Sequence, residues 1–191
     1  MEHLGAEELA AGLDAIRAAP AEAGTVELIV RRPAQDEREV LEEGLLTIED
    51  GLAGDDWRAR GSRSAPDGTA NPGRQLTVMG SRVIDLLAGG DRAAWPLAGD
   101  QLYIDLDLGI ANLPAGTRLE IGDAVIEVTE PAHTGCAKFS ARFGSDALRF
   151  VNSPEGRGMR LRGLNARVVR PGTVRRGDAV CRLPSIPADR P

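Results

Sequence analysis

The stretch LPAGTRLEIGDAVIEVTEPAHTGCAKF, residues 113–139, decides how this chain folds. Two runs of alternating apolar and polar residues, 118–121 and 124–129, flank a Gly-Asp pair at 122–123. Alternation with a period of two is typical of half-buried strands, and a Gly-Asp pair between two such runs favours a tight turn. We therefore predict a β-hairpin here, followed by a loop and a helix that starts close to Cys136.

The same pattern of short strands continues on both sides of this stretch. Strand-like runs occur at residues 25–31, 45–48, 75–79, 101–108, 164–169 and 174–182. Helical periodicity predicts helices over residues 6–19, 81–88 and 137–152, the last of them interrupted at Gly144. Many short strands joined by glycine turns, with few helices, predict a mostly β fold, a β-barrel with a few short helices.

The chain of 191 residues is long enough for one compact domain with its own core. We expect a leading helix and linker over residues 1–24, the barrel domain over 25–182, and a disordered tail over 183–191. Within the barrel domain, residues 58–74 are rich in Gly, Pro, Ser and Arg without periodicity. They predict a loop of about 17 residues, a length at which loops are usually functional or mobile.

Composition excludes several classes of protein. No apolar run approaches the ~20 residues of a membrane span, and the first residues lack the basic and apolar regions of a secretory signal, so we expect a cytoplasmic protein. The two cysteines and two histidines lack the close spacing of a four-ligand zinc site, and two cysteines are too few for an iron–sulfur centre. There is also no glycine fingerprint of a nucleotide site.

Charge is distributed unevenly along the chain, whose formal net charge is -6. Residues 1–56 carry 15 acidic and 4 basic side chains, whereas residues 131–191 carry 4 acidic and 12 basic ones. A cleft lined by the basic third would attract an anionic ligand. The alternative is that the two ends of the chain pair with each other across the fold.

Residues 129–142, TEPAHTGCAKFSAR, carry the clearest chemical signal. With Thr134 as N-cap, Cys136 would lie in the first turn of a helix, where the helix dipole and the neighbours His133 and Lys138 favour a thiolate. Lys138 is the only lysine among 23 basic residues. A thiolate binds soft transition metals or carries a persulfide. The alternative is a buried, inert cysteine, which is how we interpret Cys181 in its alternating strand.

Five ordered blocks of this sequence resemble the MOSC family, the C-terminal domain of molybdenum cofactor sulfurases. They are GLAGDDW at 51–57, GRQLTVM at 73–79, GDQLYIDLDL at 99–108, LPAGTRLEIGDAVIEVTEPAHTGCAKF at 113–139 and GLNARVVRPGTVRRGDAV at 163–180. The match covers about residues 25–180. The resemblance implies a pyruvate-kinase-like β-barrel that binds the molybdenum cofactor, a molybdenum ion held by a phosphorylated pterin.

The resemblance also implies roles for individual residues. Cys136 would be the molybdenum ligand or the carrier of sulfur towards it, with His133 and Lys138 beside it as catalytic candidates. The remaining candidates for cofactor binding are Arg74, Asp55, Asp100, Arg160 and Arg162. Arginine forks match phosphate geometry, and aspartates can accept hydrogen bonds from pterin nitrogens, although a Gly-Asp pair is also an ordinary turn signal.

Three functions remain open. The first is an oxidoreductase that reduces N-hydroxylated or N-oxide substrates at molybdenum, with electrons from a separate reductase. The second is a persulfide carrier, or a protein that sulfurates or delivers the cofactor, acting through Cys136 with a sulfur-donor protein. The third, a nucleic-acid binder, ranks last because 3% aromatic residues supply few stacking platforms. The chain has neither the length nor a suitable lysine for the pyridoxal phosphate region of full sulfurases, and we expect no membrane partner.

Overall fold

The computed structural model describes residues 3–62 and 67–184. Its strands are β1 (Ala23–Arg31), β2 (Glu39–Leu41), β3 (Glu43–Thr47), β4 (Gly51–Leu52), β5 (Leu76–Gly80), β6 (Leu102–Asp105), β7 (Arg118–Ile121), β8 (Ala124–Val128), β9 (Leu164–Arg170), β10 (Gly172–Arg175) and β11 (Ala179–Arg182). Its α-helices are α1 (Ala6–Ala11), α2 (Leu13–Arg17), α3 (Trp57–Arg60), α4 (Ser81–Leu87), α5 (Ala137–Phe143), α6 (Ser145–Asn152) and α7 (Pro154–Gly158). Two 3₁₀ helices lie at Pro72–Arg74 and Arg92–Ala98.

Seven strands close into a barrel in the order β11-β7-β8-β9-β5-β6-β1, and β1 pairs again with β11. All of these pairs are antiparallel except β5 with β6. The short strand β2 extends the sheet beside β1, and a separate sheet has the order β10-β3-β4. The expectation of a mostly β barrel with a few short helices is therefore confirmed.

One hydrophobic core lies inside the barrel, and a second lies on the outer side of the barrel wall. The alternating side chains of β1 contribute to both, with Val26 and Ile29 in the inner core and Leu28 and Val30 in the outer one. A register irregularity between Val26 and Leu28 lets one strand supply both faces in this order. Helices α1, α2, α4, α5 and α6 and the 3₁₀ helix Arg92–Ala98 contribute side chains to the outer core.

The predicted hairpin forms as expected, because β7 and β8 pair antiparallel across residues 122–123. The run predicted as one strand over 174–182 is divided instead. Its first part is β10 of the small sheet and its second part is β11 of the barrel, with Gly177 at φ +87° in the turn between them. A positive φ of this kind favours glycine and ends the strand.

The N-terminal segment differs from the predicted single helix over residues 6–19. It breaks at Gly12 into α1 and α2. A Cβ at Gly12 would lie 2.5 Å from the Leu86 side chain, so the glycine lets this segment approach α4 closely. Strand β1 begins at Ala23, before the expected residue 25. At the other end, the Leu183 amide still donates to the Arg118 carbonyl at 2.9 Å, and the rest of the expected tail, residues 185–191, lies outside the described residues.

The loop predicted over residues 58–74 contains more local structure than its composition suggested. Helix α3 occupies its start, and a 3₁₀ turn at its end is capped by the Asn71 side chain, which accepts from the Gly73 amide at 2.9 Å. Residues 63–66 lie outside the described part of the chain. No helix in the described ranges is both long and apolar enough to cross a membrane.

Candidate functional site

Cys136 lies at the surface, at the start of helix α5. It is itself the N-cap, with extended backbone, and its carbonyl accepts from the Ser140 amide at 3.0 Å. The expectation that Thr134 caps this helix was therefore wrong. Cys181, on β11, is partly buried, so Cys136 is the more accessible of the two thiols.

A side-chain clamp fixes the loop that leads to Cys136 and explains where α5 starts. Asn152, the last residue of α6, accepts from the Gly135 amide at 3.1 Å and donates to the Gly135 carbonyl at 3.2 Å. Both polar groups of Gly135 are thereby held by a neighbouring helix, and its backbone is unavailable for α5. A Cβ at residue 135 would lie 2.7 Å from Leu148 Cδ1, so a larger residue there would displace the Leu148 side chain.

Three of the predicted residues meet just behind this loop. The Asp100 carboxylate is fully buried and holds His133 Nε2 at 2.8 Å on one oxygen and Arg162 at 2.6 Å on the other. The Arg162 guanidinium also lies 4.9 Å from the centre of the Phe139 ring, on α5. His133, Asp100 and Arg162 thus form one buried cluster that is joined to the Cys136 helix.

The charges in this cluster are well defined. Burial alone would raise the pKa of Asp100, but the adjacent Arg162 and His133 lower it to about 2, so the carboxylate is ionised at neutral pH. Burial, together with the charge of Arg162, lowers the pKa of His133. The imidazole is therefore neutral at pH 7, with its proton on Nε2 facing Asp100.

A second buried pair lies next to the first. Arg32 binds both oxygens of Asp55, at 2.8 Å and 2.7 Å, and the Asp55 carboxylate also accepts from the Trp57 amide. The Asp55 carboxylate is therefore occupied by groups of the protein itself. Three arginines also donate hydrogen bonds to the three successive backbone carbonyls before Asp100. Arg142 donates to Leu97, Arg162 to Ala98 and Arg32 to Gly99.

An open cationic cavity is lined by Lys138, which follows Cys136 by two residues. Its volume is about 490 Å³, and its charged lining consists of Arg32, Arg38, Arg60, Lys138, Asp36 and Asp56. Lys138 donates to Asp36 at 2.8 Å, and Arg142 contacts the same carboxylate at 3.2 Å. Asp36 has φ +63°, an uncommon backbone conformation for a residue other than glycine.

Arg38 is the cation in this cavity whose charge is least balanced. Its Nε is buried without a hydrogen-bond partner in the described part of the chain. Burial and the nearby charges of Arg142 and Arg32 lower the pKa of Arg38. A guanidinium that faces other cations and has an unused donor is suited to bind an anion.

A smaller cavity of about 140 Å³ is lined by residues 129–134, which precede Cys136. His133 and Thr134 line it together with Arg160 and Arg162, while Lys138 lines the cationic cavity. Cys136 thus lies on the chain segment between two cavities. Among the described residues, no group of three or more His, Cys, Asp or Glu side chains could hold a metal ion.

The other predicted binding residues lie further away or are already engaged. Arg160 donates to the Leu113 carbonyl at 2.6 Å and has φ +49°. Arg74 is exposed at the end of the Pro72–Arg74 turn, which lines neither cavity. The residues that sequence reasoning missed are Arg32, Asp36, Arg38, Arg142 and Asn152. The only available signal for the first three was the run RRPAQDER at 31–38, which is polar but matches no motif.

Comparisons with known proteins support this description of the fold. The sequence model of the MOSC domain matches residues 92–181, a range that includes Cys136 and the Asp100 cluster. The structure is similar to that of YuaD from Bacillus subtilis, with a TM-score of 0.63 and 16% identity over 83% of this chain and 94% of that one. It is also similar to YiiM from Escherichia coli, with a TM-score of 0.54 and 21% identity over 85% of this chain and 71% of that one. No curated protein matches the sequence.

Proposed function

We propose that this chain, which matches the MOSC domain over residues 92–181, binds the molybdenum cofactor with Cys136 as the protein ligand of the metal. The observation that supports the proposal is the exposed Cys136 thiol, two residues before Lys138, which lines the cationic cavity. A thiolate is a suitable ligand for a soft transition metal, and the cavity offers cations for a phosphorylated tail.

The residues of the cavity fit an anionic cofactor. Arg32 is balanced by Asp55 and Arg60 by Asp56, whereas Lys138 and Arg142 share the single carboxylate of Asp36. Arg38 adds a charge with an unused buried Nε. The cavity therefore has an excess of positive charge, which is what a phosphate monoester would neutralise.

In this proposal the chain holds the cofactor at two points. Arg38, Lys138 and Arg142 would bind its phosphate, and the Cys136 thiolate would hold the metal end. When bound, the cofactor supplies a metal that can accept and donate electrons. The Asn152 clamp on Gly135 orients Cys136. The Asp100 cluster packs against α5 through the contact between Arg162 and the Phe139 ring. Cofactor contacts of Arg74, Asp55, Asp100, Arg160 and Arg162 stay predictions.

The proposed reaction is the reduction of N-hydroxylated or N-oxide small molecules. The electrons would come from a partner reductase. The runner-up function is sulfur transfer, in which the Cys136 thiolate takes the outer sulfur of a persulfide on a sulfur-donor protein, and the donor is left with a thiolate. The exposure of the thiol suits this role as well, because a persulfide must reach another protein.

Elemental analysis for molybdenum tests the proposal directly. The protein is produced in a host that makes the cofactor, as wild type, Cys136→Ala and the matched control Cys181→Ala. We expect close to one molybdenum per chain in the wild type and in Cys181→Ala, and loss of the metal in Cys136→Ala. Molybdenum in none of the three would refute the proposal, and a persulfide on Cys136 detected by mass spectrometry would then favour sulfur transfer.

A further inference from the structure

Asp36 already holds two of the cations that would bind the phosphate of the cofactor. Lys138 Nζ lies 2.8 Å from one oxygen of the Asp36 carboxylate and 3.1 Å from the other, and Arg142 Nη2 lies 3.2 Å from the first oxygen. A phosphate group likewise presents several oxygens on one atom to such donors. A phosphate bound by Lys138 and Arg142 would therefore compete with Asp36 for the same hydrogen-bond donors.

Arg38 is a third cation beside this pair. A Cβ added at Gly99 would lie 3.2 Å from Arg38 Nη2 and 3.9 Å from Arg142 Nη1, so the two guanidinium groups end next to each other. Asp36 brings one negative charge to these arginines and Lys138. A phosphate monoester brings nearly two negative charges at neutral pH, together with three acceptor oxygens. It would therefore balance the three cations better than the carboxylate does.

The contact between Asp36 and helix α5 is one that a ligand can displace. Asp36 lies in the loop 32–38 between β1 and β2, whose base is held by the pairing of these two strands. The side chains of Asp36 and Lys138 are 51% and 58% exposed. Ion pairs as exposed as this add little to stability, because water competes with them. The loop can therefore lose its contact with α5 while its base stays paired.

We propose that Asp36 competes with the phosphate group of the ligand, and that a bound phosphate monoester displaces it from Lys138 and Arg142. Asp36 thereby lowers the affinity of the site for every anion by the same factor. Only the anion that interacts most strongly with the cations, the doubly charged monoester, then binds at low concentration, and its binding frees loop 32–38 from α5. This inference rests on the proposed function only in identifying the monoester as the tail of the cofactor.

Binding of methyl phosphate to cofactor-free protein tests the proposal. The protein is produced in a host that cannot make the cofactor, and dimethyl phosphate, which carries one charge fewer, is the matched control ligand. Amide chemical shifts of ¹⁵N-labelled protein are followed at constant ionic strength and at a pH of about 8, where the monoester is doubly charged. We expect methyl phosphate to saturate the shifts of residues 36–38 and 138–142 at roughly millimolar concentrations, and to bind at least about tenfold more tightly than dimethyl phosphate.

Asp36→Asn removes the competing charge and keeps the turn, because asparagine also adopts the positive φ of this position. We expect this variant to bind both ligands about three- to tenfold more tightly, the effect of removing two exposed ion pairs. If Asp36 stayed in place and only repelled ligands, its removal would help the doubly charged monoester more than the diester. The matched control Glu37→Gln removes a neighbouring exposed charge that does not line the cavity, and should change both affinities by less than about twofold.

Hydrogen exchange of the peptide over residues 33–38 measures the displacement itself. We expect this peptide to exchange faster when methyl phosphate saturates the wild-type protein, because the loop then loses its contact with α5. In Asp36→Asn, where that contact is already weakened, the ligand should leave the exchange of this peptide unchanged.

Slower or unchanged exchange of this peptide in the wild type would overturn the proposal, as would the absence of saturable methyl phosphate binding. A larger gain for the monoester than for the diester in Asp36→Asn, or equal effects of Asp36→Asn and Glu37→Gln, would overturn it as well. These results are separate from the molybdenum analysis, because the protein used here contains no cofactor. Failure of the Asp36 test with retained molybdenum leaves the cofactor proposal standing, whereas displacement of Asp36 in a protein that never retains molybdenum refutes the cofactor proposal alone.

Discussion

At the scale of single residues, this site depends on buried ion pairs in which both oxygens of each carboxylate are engaged. Asp100 receives one cationic or polar partner on each oxygen, and Asp55 receives Arg32 on both. Burial of a charge costs free energy unless the charge is paired. Loss of either aspartate would therefore leave a buried arginine without its counter-ion. The two aspartates therefore fix the positions of the arginines at the base of the site.

We expect Asp100→Asn to destabilise the protein by about 3–5 kcal/mol, because the amide keeps the shape but leaves the Arg162 charge buried without its counter-ion. The free energy of urea unfolding at pH 7 measures this. The matched control is Asp146→Asn, which removes a surface pair with Arg149 and should change stability by less than about 1 kcal/mol. Equal effects of the two substitutions would show that the buried cluster does not hold the fold together.

At the scale of elements, the loop before α5 is positioned by one amide side chain rather than by its own sequence. Asn152 binds both polar groups of Gly135 from the end of α6. Helix α5 therefore starts at a point set by a residue 17 positions later in the chain. This is why Cys136, and not Thr134, becomes the N-cap.

We expect Asn152→Ala to release this loop. The Gly135 amide would lose its acceptor, and its hydrogen exchange should accelerate by about tenfold or more, with a stability loss of about 1–2 kcal/mol. Hydrogen-exchange mass spectrometry of the peptide around Cys136 provides the measurement. Arg149→Ala, on the same helix but exposed, is the control and should leave that peptide unchanged. Faster exchange spread evenly over the whole protein would argue against a local clamp.

The elements also show what the sequence could and could not predict. The hairpin at 118–128, the helix at 81–87 and the break at Gly144 follow local periodicity and turn residues, so they could be predicted. The cluster of His133 with Asp100 and Arg162 could not be derived from spacing, because its members are 29 to 62 positions apart and meet only when the barrel closes. Arg38 and Asp36 were missed for the same reason, since an exposed polar run gives no sign of the cavity it lines.

At the scale of the whole molecule, the barrel wall separates two cores, and the outer one requires the N-terminal helices. Leu9 on α1 is only 1% exposed and belongs to the outer core together with Ile84 and Phe143. Phe143 ends α5, the helix that begins at Cys136. The first helix therefore belongs to the packing that supports the site.

This arrangement predicts a clear difference between two leucines. Leu9→Ala should cost about 2–5 kcal/mol in the free energy of urea unfolding, because it leaves a cavity between α1 and the outer core. Leu97→Ala, at a position that is 41% exposed, should cost less than about 1 kcal/mol. If Leu9→Ala cost no more than Leu97→Ala, residues 1–24 would behave as a detachable leading segment. A large cost would mean instead that α1 holds the outer face of the barrel, and with it the helix that presents Cys136.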